Sequence, residues 1–344
     1  MTEGYYTDAV HGKHEYLELG PFPLASGYTL PEARLAYQTV GTLNEARDNA
    51  VLFPHMYSGT PASMQMYVGE GRPLDPGRWF VIFPGQFGGG FSSSPSTTPP
   101  PFDRGRFPAL ATADDVAAQH RLVTEHFGIE RLHAVMGWSM GAQQTYEWAV
   151  RHPDLVPRAA AFAGCARTPV HNQVFVDLHR ELLVSDPAYA DGFYASSADV
   201  HVGLRRHALA FALEGLTPAF YRDEVWRDMG FASADDFRQG FVQAYFAPMD
   251  PNNLLAQAAK WRASDVAGGG DLAAALGRIT ARFFVVPFGG DQFFPVEDCA
   301  AEAALVPGAQ VRVVDSPAGH FTMFGLRPQD VEAVDGVIAE VLAA

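Results

Sequence analysis

Along the chain, short runs of apolar residues alternate with stretches in which apolar residues recur every three or four positions. The runs are Leu35 to Val40, Ala50 to Phe53, Trp79 to Phe83, Leu132 to Met136, Ala159 to Ala163, Arg282 to Pro287 and Val311 to Val314. They are rich in β-branched and aromatic residues and mostly lack polar alternation, which predicts strands buried on both faces. Between them, Thr112 to Phe127, Met140 to Arg151, Glu297 to Leu305 and Asp330 to Leu342 predict helices. Thr112 suits an N-cap, with Asp114 and Asp115 near the positive end of the helix dipole. This alternation predicts an α/β fold: a mostly parallel sheet flanked by helices.

One long segment breaks the pattern. From Thr168 to Leu276 the spacing is helical at Asn172 to Leu183, Gly203 to Leu213, Ala219 to Met229, Ala234 to Phe246 and Pro251 to Arg262, and strand-like runs are almost missing. Gly268, Gly269 and Gly270 then mark a flexible return. The chain therefore divides into a core domain formed by residues 1–167 and 277–344, and an inserted helical cap formed by residues 168–276. The stretch from Gly88 to Pro101 is too rich in Gly, Ser and Pro to be regular. A chain of 344 residues exceeds what one hydrophobic core usually serves, in keeping with such a division.

Composition narrows the partners. Apolar residues make up 48% and charged residues 18%, as in ordinary globular proteins. The net charge of −15 and the scattered basic residues speak against a nucleic-acid partner or an anionic membrane surface. No run of 18 or more apolar residues predicts a membrane span. Two cysteines, Cys165 and Cys299, are too few for a disulfide framework and read as buried thiols. Met1 to Tyr16 lacks the apolar stretch of a signal peptide, so a cytoplasmic location is expected. Neither H-E-x-x-H nor a phosphate-cradling glycine loop occurs, so no metal and no cofactor is expected.

The chemistry centres on Gly137-Trp138-Ser139-Met140-Gly141, which fits the G-x-S-x-G nucleophile elbow. The pattern alone turns up by chance in roughly one chain in ten of this length, so its context decides. Here a predicted strand precedes it and a predicted helix follows. Such a turn lifts the serine hydroxyl above the sheet's carboxyl edge and aims the N–H of Met140 at an oxyanion. A serine hydroxyl needs a base held by a carboxylate, in the chain order Ser, acid, His. Asp291 follows the strand ending at Pro287, and His320 follows the one ending at Val314, so Ser139, Asp291 and His320 are the candidate catalytic residues. Asp315 competes for the acid role. Asp298 reads as part of a helix, and His152, before a proline, as a helix terminus. The second oxyanion donor is expected after Phe53, at the backbone N–H of Tyr57.

With these residues in place, the chain resembles the homoserine O-acetyltransferase family. The likeness is densest at Gly128 to Gly141, Glu147 to Ala149, Phe288 to Pro295 and Asp315 to His320, while His55 to Gly59 matches the family's oxyanion loop. The resemblance implies an α/β-hydrolase fold with a helical cap, supports Tyr57 as oxyanion donor, and implies a homodimer formed through cap helices. The departures bear on the substrate. Where the resemblance calls for an aspartate after the histidine, to hold the homoserine amine, this chain has Phe321. Arg205 and Arg206 lie out of register with the family's carboxylate-binding arginine, and Trp138 replaces a glycine. Trp138 and Phe321 are therefore expected to shape the substrate pocket. These changes point to the hydrolytic branch: a serine esterase acting on a small-molecule acyl ester of the acetate type. The alternatives are an O-acetyltransferase using acetyl-CoA and an alcohol, and a non-catalytic receptor on the same fold.

Overall fold

The computed structural model describes residues 4–343; Met1 to Glu3 of the leader reading, and Ala344, lie outside the described residues. One sheet of eight strands runs through the molecule in the order β1-β2-β4-β3-β5-β6-β7-β8. These are β1 (Glu15–Pro23), β2 (Thr29–Val40), β3 (Ala50–Leu52), β4 (Phe80–Pro84), β5 (Ala134–Trp138), β6 (Arg158–Phe162), β7 (Arg282–Val286) and β8 (Gln310–Val311). The pairs β1–β2 and β2–β4 are antiparallel, and every other pair is parallel.

The central strands are short because both of their faces are buried. In β7, Phe283 and Val285 face one hydrophobic cluster while Phe284 and Val286 face the other; Val135 and Met136 of β5 divide in the same way. Hence the continuous apolar runs, with no polar alternation to mark each strand. β1 was not expected. It is an edge strand with mostly exposed residues, a register shift at Gly20 and two prolines, so it carries little periodic signal. At the other edge β8 spans only two residues, and the pairing resumes as a single bridge, Phe288 to Val314.

The helices are α1 (Asp8–His11), α2 (Thr112–Arg121), α3 (Met140–Arg151), α4 (Val170–Val184), α5 (His201–Gly215), α6 (Pro218–Arg222), α7 (Ala234–Phe237), α8 (Ala244–Phe246), α9 (Pro251–Ala263), α10 (Leu272–Leu276), α11 (Val296–Ala303) and α12 (Pro328–Ala343). Those from α4 to α10 all fall between β6 and β7. Thr112 is the first helical residue of α2 rather than its cap; Ala111 caps it, and Asp114 accepts from the Ala111 N–H at 2.8 Å. The hydroxyl of Thr112 instead donates to Ser264 at 3.1 Å. His152 does end α3, and Asp298 lies within α11.

A buried ion pair joins α9 to the core. Lys260 Nζ meets Asp115 Oδ2 at 2.5 Å and the Phe87 carbonyl at 2.9 Å, with both side chains fully buried. Asp115 Oδ1 also accepts from the Phe87 N–H, which completes the ring of partners. Among the described residues no helix is long and apolar enough to cross a membrane.

Candidate active site

Three loops at the carboxyl ends of β5, β7 and β8 converge, where parallel α/β sheets generally place their reactive groups. The first is the turn from β5 into α3. Ser139 sits there at φ 58° and ψ −118°, a conformation few non-glycine residues adopt. Its N–H donates to the Phe162 carbonyl at 2.9 Å, which ties the turn to β6. The flanking glycines are sterically required. A Cβ at 137 would lie 2.2 Å from the Gly141 carbonyl oxygen, and one at 141 would lie 2.2 Å from that of Pro54. The elbow is thus pressed against the loop that follows β3.

His320 arrives on the helical turn Gly319–Phe324, and its Nε2 lies 3.0 Å from Ser139 Oγ. Its Nδ1 lies 2.8 Å from Asp291 Oδ2. The other carboxylate oxygen of Asp291 accepts from the N–H groups of Phe293 at 2.8 Å and Phe294 at 3.1 Å, which fixes the plane of the group. Asp315 is exposed, its carboxylate beside Gly289, so Asp291 is the imidazole's carboxylate partner. Ser139, Asp291 and His320 are 3–4% exposed, so their hydrogen bonds form out of contact with bulk water.

The rings of Phe293, Phe294 and Trp138 surround the imidazole, with centroids 4.7, 5.6 and 5.5 Å away. Trp138 belongs to the cluster on the far face of the sheet and meets Phe324 edge-on at 4.9 Å. It backs the imidazole. Phe321 points the other way, into an apolar cluster under the cap: it stacks on Phe211 of α5, with centroids 5.8 Å apart.

The loop after β3 carries Tyr57. Its N–H has no acceptor among the described residues, and the N–H of Met140, in the first turn of α3, has no intrahelical acceptor. The Tyr57 hydroxyl donates to the Leu254 carbonyl at 3.1 Å, and its ring stacks on Phe211, which secures the loop to the cap. Burial pushes the His55 imidazole down to about 3, so that ring is neutral.

Several supporting groups were not singled out in the sequence. Thr217 donates through its hydroxyl to the Pro317 carbonyl at 2.8 Å, so the cap holds the loop that carries His320. Gln86 donates to the His55 carbonyl at 2.6 Å. The Phe293 and Phe294 N–H groups leave no trace in the sequence, since every residue but proline has one. Among the described residues no group of three His, Cys, Asp or Glu side chains could hold a metal ion.

A family model described as the alpha/beta hydrolase fold matches residues 49–325. The chain belongs to the α/β-hydrolase family. An ethyl acetate hydrolase from Pseudomonas veronii is 47% identical to this α/β-hydrolase, over 99% of this chain and 98% of its own. The solved structure of the acetyl esterase MekB superposes with a TM-score of 0.97 at 47% identity, covering 99% of this chain and 100% of that one. A homoserine O-acetyltransferase from Leifsonia xyli is more distant, at 32% identity over 98% of this chain and 91% of its own. Within its family this α/β-hydrolase thus stands nearer to the esterases than to the transferases.

Proposed function

We propose that this α/β-hydrolase is a serine carboxylic-ester hydrolase that cleaves short, acetate-type esters through an acyl-enzyme. The observation that carries the reading is the hydrogen-bonded line from Ser139 Oγ through His320 to Asp291, at 3.0 and 2.8 Å. His320 Nε2 takes the Ser139 proton as Oγ bonds to the ester carbonyl carbon. It then returns that proton to the alkoxy oxygen as the carbon–alkoxy bond breaks. Water, deprotonated by the same nitrogen, attacks the acyl-serine; that proton then passes from His320 Nε2 to Ser139 Oγ as the acyl–Oγ bond breaks, which releases the acid and restores the hydroxyl. Asp291 holds the imidazole in the tautomer that keeps Nε2 free to accept. The N–H groups of Met140 and Tyr57 hold the oxyanion. The acetate preference is supported by the relatives named ethyl acetate hydrolase and acetyl esterase, each 47% identical.

Phe321 favours hydrolysis over transfer to homoserine. It is 4% exposed and packed against aromatic rings, where an ammonium group would be buried without a counter-charge. The test is ethyl acetate hydrolysis followed by titration of released acid, alongside acetyl-CoA with homoserine as the transfer arm. Ser139→Ala is expected to stay folded and to lower hydrolysis by about three orders of magnitude or more. An active, purified Ser139→Ala, or efficient homoserine acetylation by the wild type, overturns the reading.

We further infer a homodimer formed through the cap. Val170, Val174 and Leu178 form an exposed apolar stripe on α4, and Leu209 and Leu213 are exposed on the adjacent α5. Sedimentation equilibrium checks it; a monomer at micromolar concentration counts against it. A cytoplasmic location is the reading favoured by two free, buried cysteines.

A further inference from the structure

The base of this site takes on a positive charge in each half-reaction, and it does so out of reach of bulk water. His320 is 3% exposed, and its ring meets three aromatic rings: Phe293, Phe294 and Trp138, at centroid distances of 4.7, 5.6 and 5.5 Å. Their planes are tilted from it by 52°, 40° and 39°, between stacked and edge-on. All three lie within the span of about 6 Å over which an aromatic ring attracts a cation.

The polar groups around the imidazole are few. Ser139 and Asp291 take its two nitrogens. Behind Asp291, on α11, burial keeps the Cys299 thiol neutral. Asp315 turns to Gly289, while Arg327, which donates to Ser316 of the histidine loop, is paired with Asp330. Asp291 is thus the carboxylate that meets the imidazolium, and its Oδ1 already serves two backbone N–H groups.

Trp138 differs from the other two rings. Phe293 and Phe294 also orient Asp291 through their N–H groups, whereas Trp138 meets the imidazole with its ring alone. It is 1% exposed, and its indole Nε1 has no hydrogen-bond partner among the described residues. An N–H buried in this way carries a desolvation penalty that a leucine or phenylalanine would avoid. What only an indole supplies there is the strongest attraction for a cation among the aromatic side chains. It belongs to the cluster on the far face of the sheet, where Phe324 braces it edge-on.

We propose that Trp138 is a positioning residue for the base: its indole holds the imidazole from behind and stabilises the imidazolium formed in both half-reactions. The proposal rests on the ester-hydrolase reading and adds to it the group that favours the charged form of the base.

Trp138→Phe and Trp138→Leu test this with ethyl acetate, all rates being normalised to reactive Ser139 by fluorophosphonate titration. Losing the indole is expected to lower kcat about tenfold in Trp138→Leu and about threefold in Trp138→Phe. KM should change by less than about twofold, because the indole stands behind the imidazole and not against the ester. A less stabilised imidazolium gives up its proton more readily. The acid-side fall of kcat/KM should therefore move to lower pH, by about one unit in Trp138→Leu and about half a unit in Trp138→Phe. The rate of fluorophosphonate inactivation, followed against pH, should shift in the same way with no ester present. Loosened packing alone would raise KM or lower the fraction of reactive serine, and would leave that acid limb in place.

An acid limb that stays in place in both variants overturns the proposal. So does a Trp138→Leu enzyme that matches Trp138→Phe in kcat, or a loss confined to KM. If Trp138→Leu does not fold, the kcat and acid limb of Trp138→Phe decide. A wild type that reacts with the fluorophosphonate yet hydrolyses no acetate refutes instead the ester-hydrolase reading, and the inactivation rates still judge Trp138.

Discussion

Replacing Asp291 by asparagine changes one atom and, by the local hydrogen bonding, reverses a proton. The two backbone N–H groups of Phe293 and Phe294 both point at Oδ1. In Asp291→Asn they select the amide's carbonyl oxygen, because the flipped rotamer would set an NH₂ against two buried donors, at about 1–3 kcal/mol for each unmet group. The NH₂ is then left facing His320 Nδ1. A donor there stabilises the tautomer whose proton is on Nε2, and an Nε2–H cannot accept the proton of Ser139. The carboxylate's ability to offset the imidazolium charge is lost as well. The expected outcome is a kcat lower by about 10⁴-fold near neutral pH, or about 5.4 kcal/mol. Folding should be nearly unchanged, since the shape is conserved. The assay is initial-rate hydrolysis of ethyl acetate, with circular dichroism and urea titration to confirm the native state. A folded variant within tenfold of wild type would refute both the tautomer argument and the assignment of Asp291.

Three further outcomes follow from particular contacts. Lys260→Met leaves Asp115 buried without its counter-ion and is expected to cost about 3–5 kcal/mol in urea unfolding at pH 8, and less at pH 5, where a protonated carboxyl needs no partner; a loss under about 1 kcal/mol at pH 8 would count against the pair's anchoring role. His55 has its folded value pushed down to about 3 from an ordinary 6.5 by burial, so its stabilising effect is full above 6.5 and is lost as pH falls toward 3. Relative to His55→Gln, wild type should lose about 1.4 kcal/mol between pH 7.5 and 5.5, and parallel pH slopes would contradict the buried neutral ring. Gly141→Ala puts a methyl group 2.2 Å from the Pro54 carbonyl oxygen and pushes back the loop that carries the Tyr57 N–H. Hydrolysis is expected to fall by about 10²-fold with labelling of Ser139 retained, and an unaffected rate would exclude that loop from holding the oxyanion.

The elbow and the order of its partners were legible in the sequence because they depend on local chemistry. Only small residues fit at 137 and 141, and a carboxylate or imidazole just past an apolar run falls at a strand's end. The central strands were legible for a related reason: burial on both faces makes the whole run apolar. β1 escaped, since an exposed edge interrupted by glycine and proline has no period to read. What the tertiary structure decided was every relationship between distant segments. Asp291 and Asp315 each follow a strand, and only the folded loops show which carboxylate meets the imidazole. Phe321 and Trp138 lie three and 182 positions from their neighbours Phe324 and His320 in the chain order, yet they serve opposite faces of the site. The buried Lys260–Asp115 pair and the strap from Thr217 to Pro317 are likewise absent from any local pattern. A side chain's type is fixed by the sequence, but its partner is set by packing, which depends on the whole chain at once.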